Sequence, residues 1–111
     1  MVNTMSTGTM NQKVVNSYVS NQLMGLSQGQ LLLTVYDIAI TSCQQEDSSK
    51  AIRAVSELIS ALNFEYQEIS IGLFRIYQYV IDIIREENFN ESLLILKELR
   101  NTWATALRDY N

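Results

Sequence analysis

From Leu31 to Leu107 apolar residues return at helical spacing, alternation with the period of a strand is nowhere sustained, and no proline interrupts the pattern. Such a chain is confined to an all-α fold. Each amphipathic helix carries an apolar stripe that has to be buried against another helix. Without proline, helix boundaries must come from capping side chains and glycines. The 111 residues make one domain, large enough for one core and too small for a large buried active-site cleft.

Four long segments follow from the periodicity. The first runs from about 28 to 44, with Ser27 and Gln30 spaced as a capping box. It carries two stripes, Leu31, Val35 and Ile38 on one side and Leu33, Tyr36 and Ile40 on another. A helix apolar on most of its circumference is central in its bundle or covered by something else. After the polar turn at residues 44–48, with Ser48 as the expected N-cap, the second runs from about 49 to 62 with a seam of Ile52, Val55, Ile59 and Leu62. Asn63 marks the next break. The third spans about 65 to 87 along Ile69, Leu73, Ile76, Val80 and Ile83, and Gly72 within it reads as a point of close helix packing. The fourth, about 91 to 109 with Asn90 as N-cap, presents Leu96, Leu99, Trp103 and Ala106, with Trp103 anchoring the core near the first helix. Short connections between long helices imply antiparallel neighbours, hence an up-down-up-down four-helix bundle. Ahead of it, residues 1–13 read as a disordered start or an appended segment, and the bundle domain covers 14–111. Val14 to Met24 forms a short, mobile helix whose apolar face is too small to fold alone.

Whole classes of function fall away on composition. The net charge is −4 and the eight Lys and Arg residues are scattered, so no basic patch tracks a nucleic-acid backbone. Histidine is absent, which removes the usual general base and the commonest metal ligand. Cys43 has no His, Lys or Arg beside it in sequence to lower its pKa, and reads as a packing residue. Neighbouring acids such as Glu46 and Asp47, or Glu86 and Glu87, point about 100° apart on a helix and do not make a catalytic dyad. No enzyme, cofactor or metal site is expected. A single cysteine, no signal peptide and no long apolar run place the chain in the cytosol, without membrane insertion.

Protein recognition remains. Charged residues are 18% of the chain against 47% apolar, so either the surface carries many Ser, Asn, Gln and Thr residues or some apolar area stays uncovered, as a binding groove would. Tyr77 and Tyr79 lie about 200° apart on the third helix and cannot face one core. Ile71 and Phe74 fall off its main stripe. A second apolar face on an outer helix needs a client or a second copy of the chain, so a homodimer is the rival to a client groove.

One family pattern runs through these same residues. Tyr18, Asn21-Gln22, Ser27 through Leu31, Leu33-Thr34-Val35-Tyr36-Asp37 with Ala39, Leu62-Asn63, Leu73 through Tyr79, Asn88, and Leu99-Arg100 with Trp103-Ala104 stand in the order of the flagellin-specific export chaperones, over roughly residues 15 to 107. The chain resembles that family with two departures. Ile38 stands where the family commonly has glycine, and both outer hairpins are shorter. The resemblance implies a cytosolic bundle that binds the disordered C-terminal segment of flagellin, hides its polymerising surface and releases it at the flagellar export gate. It implies that Tyr18, with Val15, Asn21 and Gln22 around it, covers the client groove or docks at the gate. Client contacts are then expected at Val15, Tyr18, Asn21, Gln22, Ile71, Phe74, Tyr77 and Tyr79. The alternative is a generic or self-associating helical adaptor that does not bind flagellin.

Overall fold

The computed structural model describes residues 11–22 and 26–110. They form α1 (Gln12–Gln22), α2 (Leu26–Gln44), α3 (Ser48–Ser60), α4 (Gln67–Arg85) and α5 (Phe89–Tyr110), with no strand among them. Helices α2 to α5 make the up-down-up-down bundle, each packed on its neighbours in sequence and α5 closing back on α2. Helix α1 begins at Gln12 and lies along α5, touching α4 as well. Its Val15 and Val19 are fully enclosed.

The two short turns at one end of the bundle share a design. Two residues beyond the ends of α2 and α4 stands a glutamate in the left-handed region, Glu46 at φ 57° and Glu87 at φ 61°. The following N–H reaches back to close each last turn, Asp47 to Ser42 and Asn88 to Ile83, both at 2.8 Å. That fold-back brings the next side chain into the capping position. Asp47 Oδ1, not the expected Ser48, accepts the Lys50 N–H at 3.1 Å. Asn88, not Asn90, accepts the Glu91 N–H at 3.3 Å and donates to the Glu91 carboxylate at 3.0 Å. The expected cap at Ser27 lies outside the described side chains.

Core stripes are rotated from their expected positions on three helices. On α2, Tyr36, Ala39, Ile40 and Cys43 are buried, whereas Leu31 is 65% exposed and Ile38 also faces outward. The second of the two sequence stripes is therefore the core one. On α3 the seam runs through Ala51, Ala54, Val55 and Leu58, leaving Ile52, Ile59 and Leu62 on its flanks. Small alanines let α3 lie close to α2, and the bulky isoleucines cover the edges. On α4, Tyr77 and Ile84 enter the core and Ile76 is only half-buried. The α5 stripe stands as read: Leu96, Leu99, Trp103 and Ala106 are all buried.

Gly29 and Gly72 have opposite surroundings. A Cβ on Gly29 would come within 2.5 Å of Leu107 Cδ2, so here the absent side chain lets the start of α2 approach α5. A Cβ on Gly72 would meet nothing within 4 Å. Gly72 is thus not the close-packing point its helical position suggested, and it costs α4 about 1 kcal/mol relative to alanine.

Candidate functional site

Helix α2 outruns its partner. The two are joined by a tight turn at residues 45–47, but α2 has 19 residues and α3 only 13. The first turns of α2 therefore face the stretch after α3 rather than α3 itself. That stretch is folded back by Asn63, whose side-chain oxygen accepts the Glu65 N–H at 2.9 Å and whose carbonyl accepts Ser70 Oγ at 2.6 Å. A cleft of about 440 Å³ is left between them. Leu31, Leu32 and Val35 form one wall, and Leu58, Ala61 and Leu62 the other. Gln28, Glu57 and Asn63 also line it, and Tyr18, Tyr77 and Trp103 contribute the aromatic lining.

Beneath the apolar walls lies a hydrogen-bonded triad drawn from three helices. Trp103 Nε1–H donates to the Tyr36 hydroxyl at 3.0 Å, and the Tyr36 and Tyr77 hydroxyls are 2.5 Å apart. Burial drives both phenol pKa values well above the usual tyrosine range, with the Tyr77 neighbour adding to the rise at Tyr36. Both hydroxyls remain neutral and act as fixed polar contacts. Tyr18 closes the lower end: its ring meets Trp103 edge-on at 5.7 Å and Tyr66 at 5.5 Å, and its hydroxyl accepts the Asn63 N–H at 3.4 Å. Outside the cleft, Arg100 on α5 grips Asp37 on α2 through two bonds, one of them Nη2 to Oδ2 at 3.1 Å.

Of the eight residues singled out in the sequence, six have described side chains, and of these Tyr18 and Tyr77 line the cleft. Val15 and Tyr18 are buried and hold α1 onto the bundle. The backbones of Asn21 and Gln22 close α1, and their side chains lie outside the described residues. Tyr77 is 1% exposed, so its place is in the core and not on an outer face. The two-residue offset that separates Tyr77 from Tyr79 sends one ring inward and the other out. Tyr79 is 42% exposed and gives its hydroxyl proton to Glu91 at 2.6 Å. Ile71, 39% exposed, and half-buried Phe74 lie off the core stripe of α4 as read. Phe74 packs edge-on against exposed Phe64 at 6.3 Å, forming a second apolar surface.

Of the cleft walls, Leu31, Val35 and Leu62 were read in the sequence as helix stripes and not as a site. Two signals could have marked them: the consecutive leucines at residues 31–33, which cannot all face one core, and the length mismatch between the first two helices. Among the described residues no group of three His, Cys, Asp or Glu side chains could hold a metal, and no helix is long and apolar enough to cross a membrane.

Compared with known proteins, residues 10–110 match the family model described as flagellar protein FliS. No curated protein and no solved structure matches the chain.

Proposed function

The chain belongs to the flagellar protein FliS family, and on that premise we propose that it is a cytosolic export chaperone. It binds the disordered C-terminal segment of flagellin, prevents premature polymerisation and delivers the segment to the flagellar export apparatus. The family match over residues 10–110 carries this reading. The cleft supports it, because helix-in-groove binding needs exposed apolar walls and no catalytic group. In this reading the client folds on contact, with one amphipathic turn against Leu31, Leu32 and Leu62. The surface of Phe64, Ile71 and Phe74, at the start of α4 and the loop before it, offers a second docking strip. Ordering a disordered client offsets several kcal/mol of the contact energy and keeps an extended interface releasable.

Calorimetric titration with a flagellin C-terminal peptide tests the reading. Binding should show favourable enthalpy opposed by ordering entropy, with a negative heat-capacity change. Leu31→Asp should weaken it at least tenfold while moving stability by no more than about 0.5 kcal/mol, because Leu31 is already 65% exposed. An unchanged affinity in that variant would remove the cleft from the interface. No binding at peptide concentrations on the order of tens of micromolar, a Kd range of about −6 to −7 kcal/mol, would favour the adaptor alternative.

Helix α1 is the candidate regulator of access. Tyr18 lines the cleft, yet α1 has only 11 residues and few enclosed side chains to hold it. Local segments with few buried apolar contacts open at lower free energy than the core. Amide exchange in α1 should therefore be much faster than around Ile76 in α4. Equal protection in the two helices would mean that α1 does not lift independently of the bundle.

A further inference from the structure

Helix α3 ends in the cleft, and its end is negative twice over. Leu58 and the C-cap residue Ala61 both line the space. The last carbonyls of a helix carry a partial negative charge, which a Lys or Arg in the last turn ordinarily offsets. Helices α4 and α5 follow that rule with Arg85 and Arg108. Helix α3 has no basic residue in its last turn and carries Glu57 there instead. Glu57 is exposed and lines the cleft, so a full charge of the same sign stands beside the helix end. Among the described residues the ion pairs are Asp82 with Arg85, Asp37 with Arg100 and Asp109 with Arg108, and none of them involves Glu57. Arg53 stands one turn earlier on α3, but a cation placed before the acid is the weaker order at this spacing, and the two do not pair.

Nothing else in the lining balances this charge. The walls are apolar, Gln28 and Asn63 are neutral, and no Lys or Arg is among the lining residues. The whole chain carries −4, so its long-range field has the same sign. An acidic group entering the cleft would meet both Glu57 and the carbonyl end of α3, with no cation to offset either. A cationic group would satisfy both at once. Resting on the client-binding reading, we propose that Glu57 selects the charge of the occupant. The cleft takes an amphipathic segment of a partner protein whose apolar side chains lie between Leu31, Leu32 and Leu62. A Lys or Arg side chain of the same segment pairs with Glu57 at the end of α3. The free protein thus keeps an adverse charge at a helix end, and the partner's cation relieves it.

Hexylammonium, hexanol and hexanoate test the charge rule without any client, because they share one apolar tail and differ in head charge. In an NMR titration, hexylammonium should shift the Leu31, Leu32 and Leu62 methyl resonances and the Glu57 amide at the lowest concentration, hexanol at a higher one and hexanoate least. Glu57→Gln should bring the three responses together. Equal responses in the wild type, a preference for hexanoate, or no response to any probe overturns the proposal, whether or not flagellin binds. Stability gives a second readout. Removing the adverse charge should raise the melting midpoint of Glu57→Gln by about 1–5 °C. A lower midpoint would mean that a contact within the bundle holds Glu57, and would also overturn the proposal. With the flagellin C-terminal peptide, Glu57→Gln should weaken binding roughly twofold to fivefold, the range of an exposed ion pair. Glu86→Gln makes the same change in net charge at the C-cap of α4, outside the cleft, and should bind as the wild type does. Equal losses in the two variants would trace to net charge alone and overturn the proposal. A wild-type protein that does not bind the peptide would sink the flagellin reading, and the hexyl probes would still decide the charge rule.

Discussion

Trp103→Ala should destabilise the bundle by about 3–5 kcal/mol, the range for removing a buried large aromatic side chain. Trp103 is 3% exposed and sits in the middle of the α5 stripe. Its loss combines three effects. The packed volume at the junction of α1, α2, α4 and α5 disappears. The Tyr36 hydroxyl loses its indole donor. Tyr18 loses the ring it meets at 5.7 Å, so α1 loses one of its attachments. Total stability for a domain is about 5–15 kcal/mol, so the variant should be close to unfolding at ordinary temperature. Denaturant melts followed by circular dichroism measure this directly. A loss below about 1 kcal/mol, the level of a typical surface or conservative change, would show that the indole is not the anchor. Trp103→Phe should fall between, because it restores most of the ring volume but not the donor.

Alkaline pH should unfold this protein in an ordered way. Burial raises the Cys43 thiol from its ordinary value to about 11 and pushes the Tyr36 and Tyr77 phenols upward as well. A group whose folded pKa lies above its unfolded pKa contributes its full stabilisation below the unfolded value. That contribution is lost as pH rises toward the folded value. The thiol contribution therefore begins to decline near pH 9 and the phenol contributions near pH 10. Each pH unit across such a window removes about 1.4 kcal/mol per raised group. With three such groups in one core, the helical signal should be lost in a single steep transition, with ionisation of the Tyr36 and Tyr77 phenols confined to it. Cys43→Val should leave the phenol part in place and move the onset upward. Helices that stay intact while all six tyrosines ionise would mean that the two buried phenols reach solvent without unfolding.

Some features of this fold were readable because they depend on neighbours along the chain. The α5 stripe of Leu96, Leu99, Trp103 and Ala106 is one. Helix α5 buries a single narrow face, and a single face is what helical periodicity reports. The outward position of Tyr79 is another, since an offset of two residues reverses direction on any helix. The caps of α3 and α5 were found to within two residues and assigned to the wrong side chains. Left-handed glutamates at 46 and 87 decided which residue came next into the capping position, and no residue preference marks glutamate for that role.

Rotation of a helix about its own axis was another matter. Helix α2 is apolar on two faces, and its own sequence gives no reason to choose Tyr36 over Leu31 for the interior. The choice falls to the whole assembly. Close approach at the alanines of α3, the Gly29 contact with Leu107, and the Trp103 indole seeking Tyr36 all turn the same face inward. The cleft arises from the same global constraint, because the unmatched first turns of α2 become a wall only where α3 stops short. Local periodicity therefore determined that this chain is a helical bundle, which residues can be apolar stripes and, through the order of its motifs, which family it resembles. Only tertiary packing decided which of two apolar faces is core and which is left open, because that depends on the relative lengths and close contacts of helices far apart in the chain.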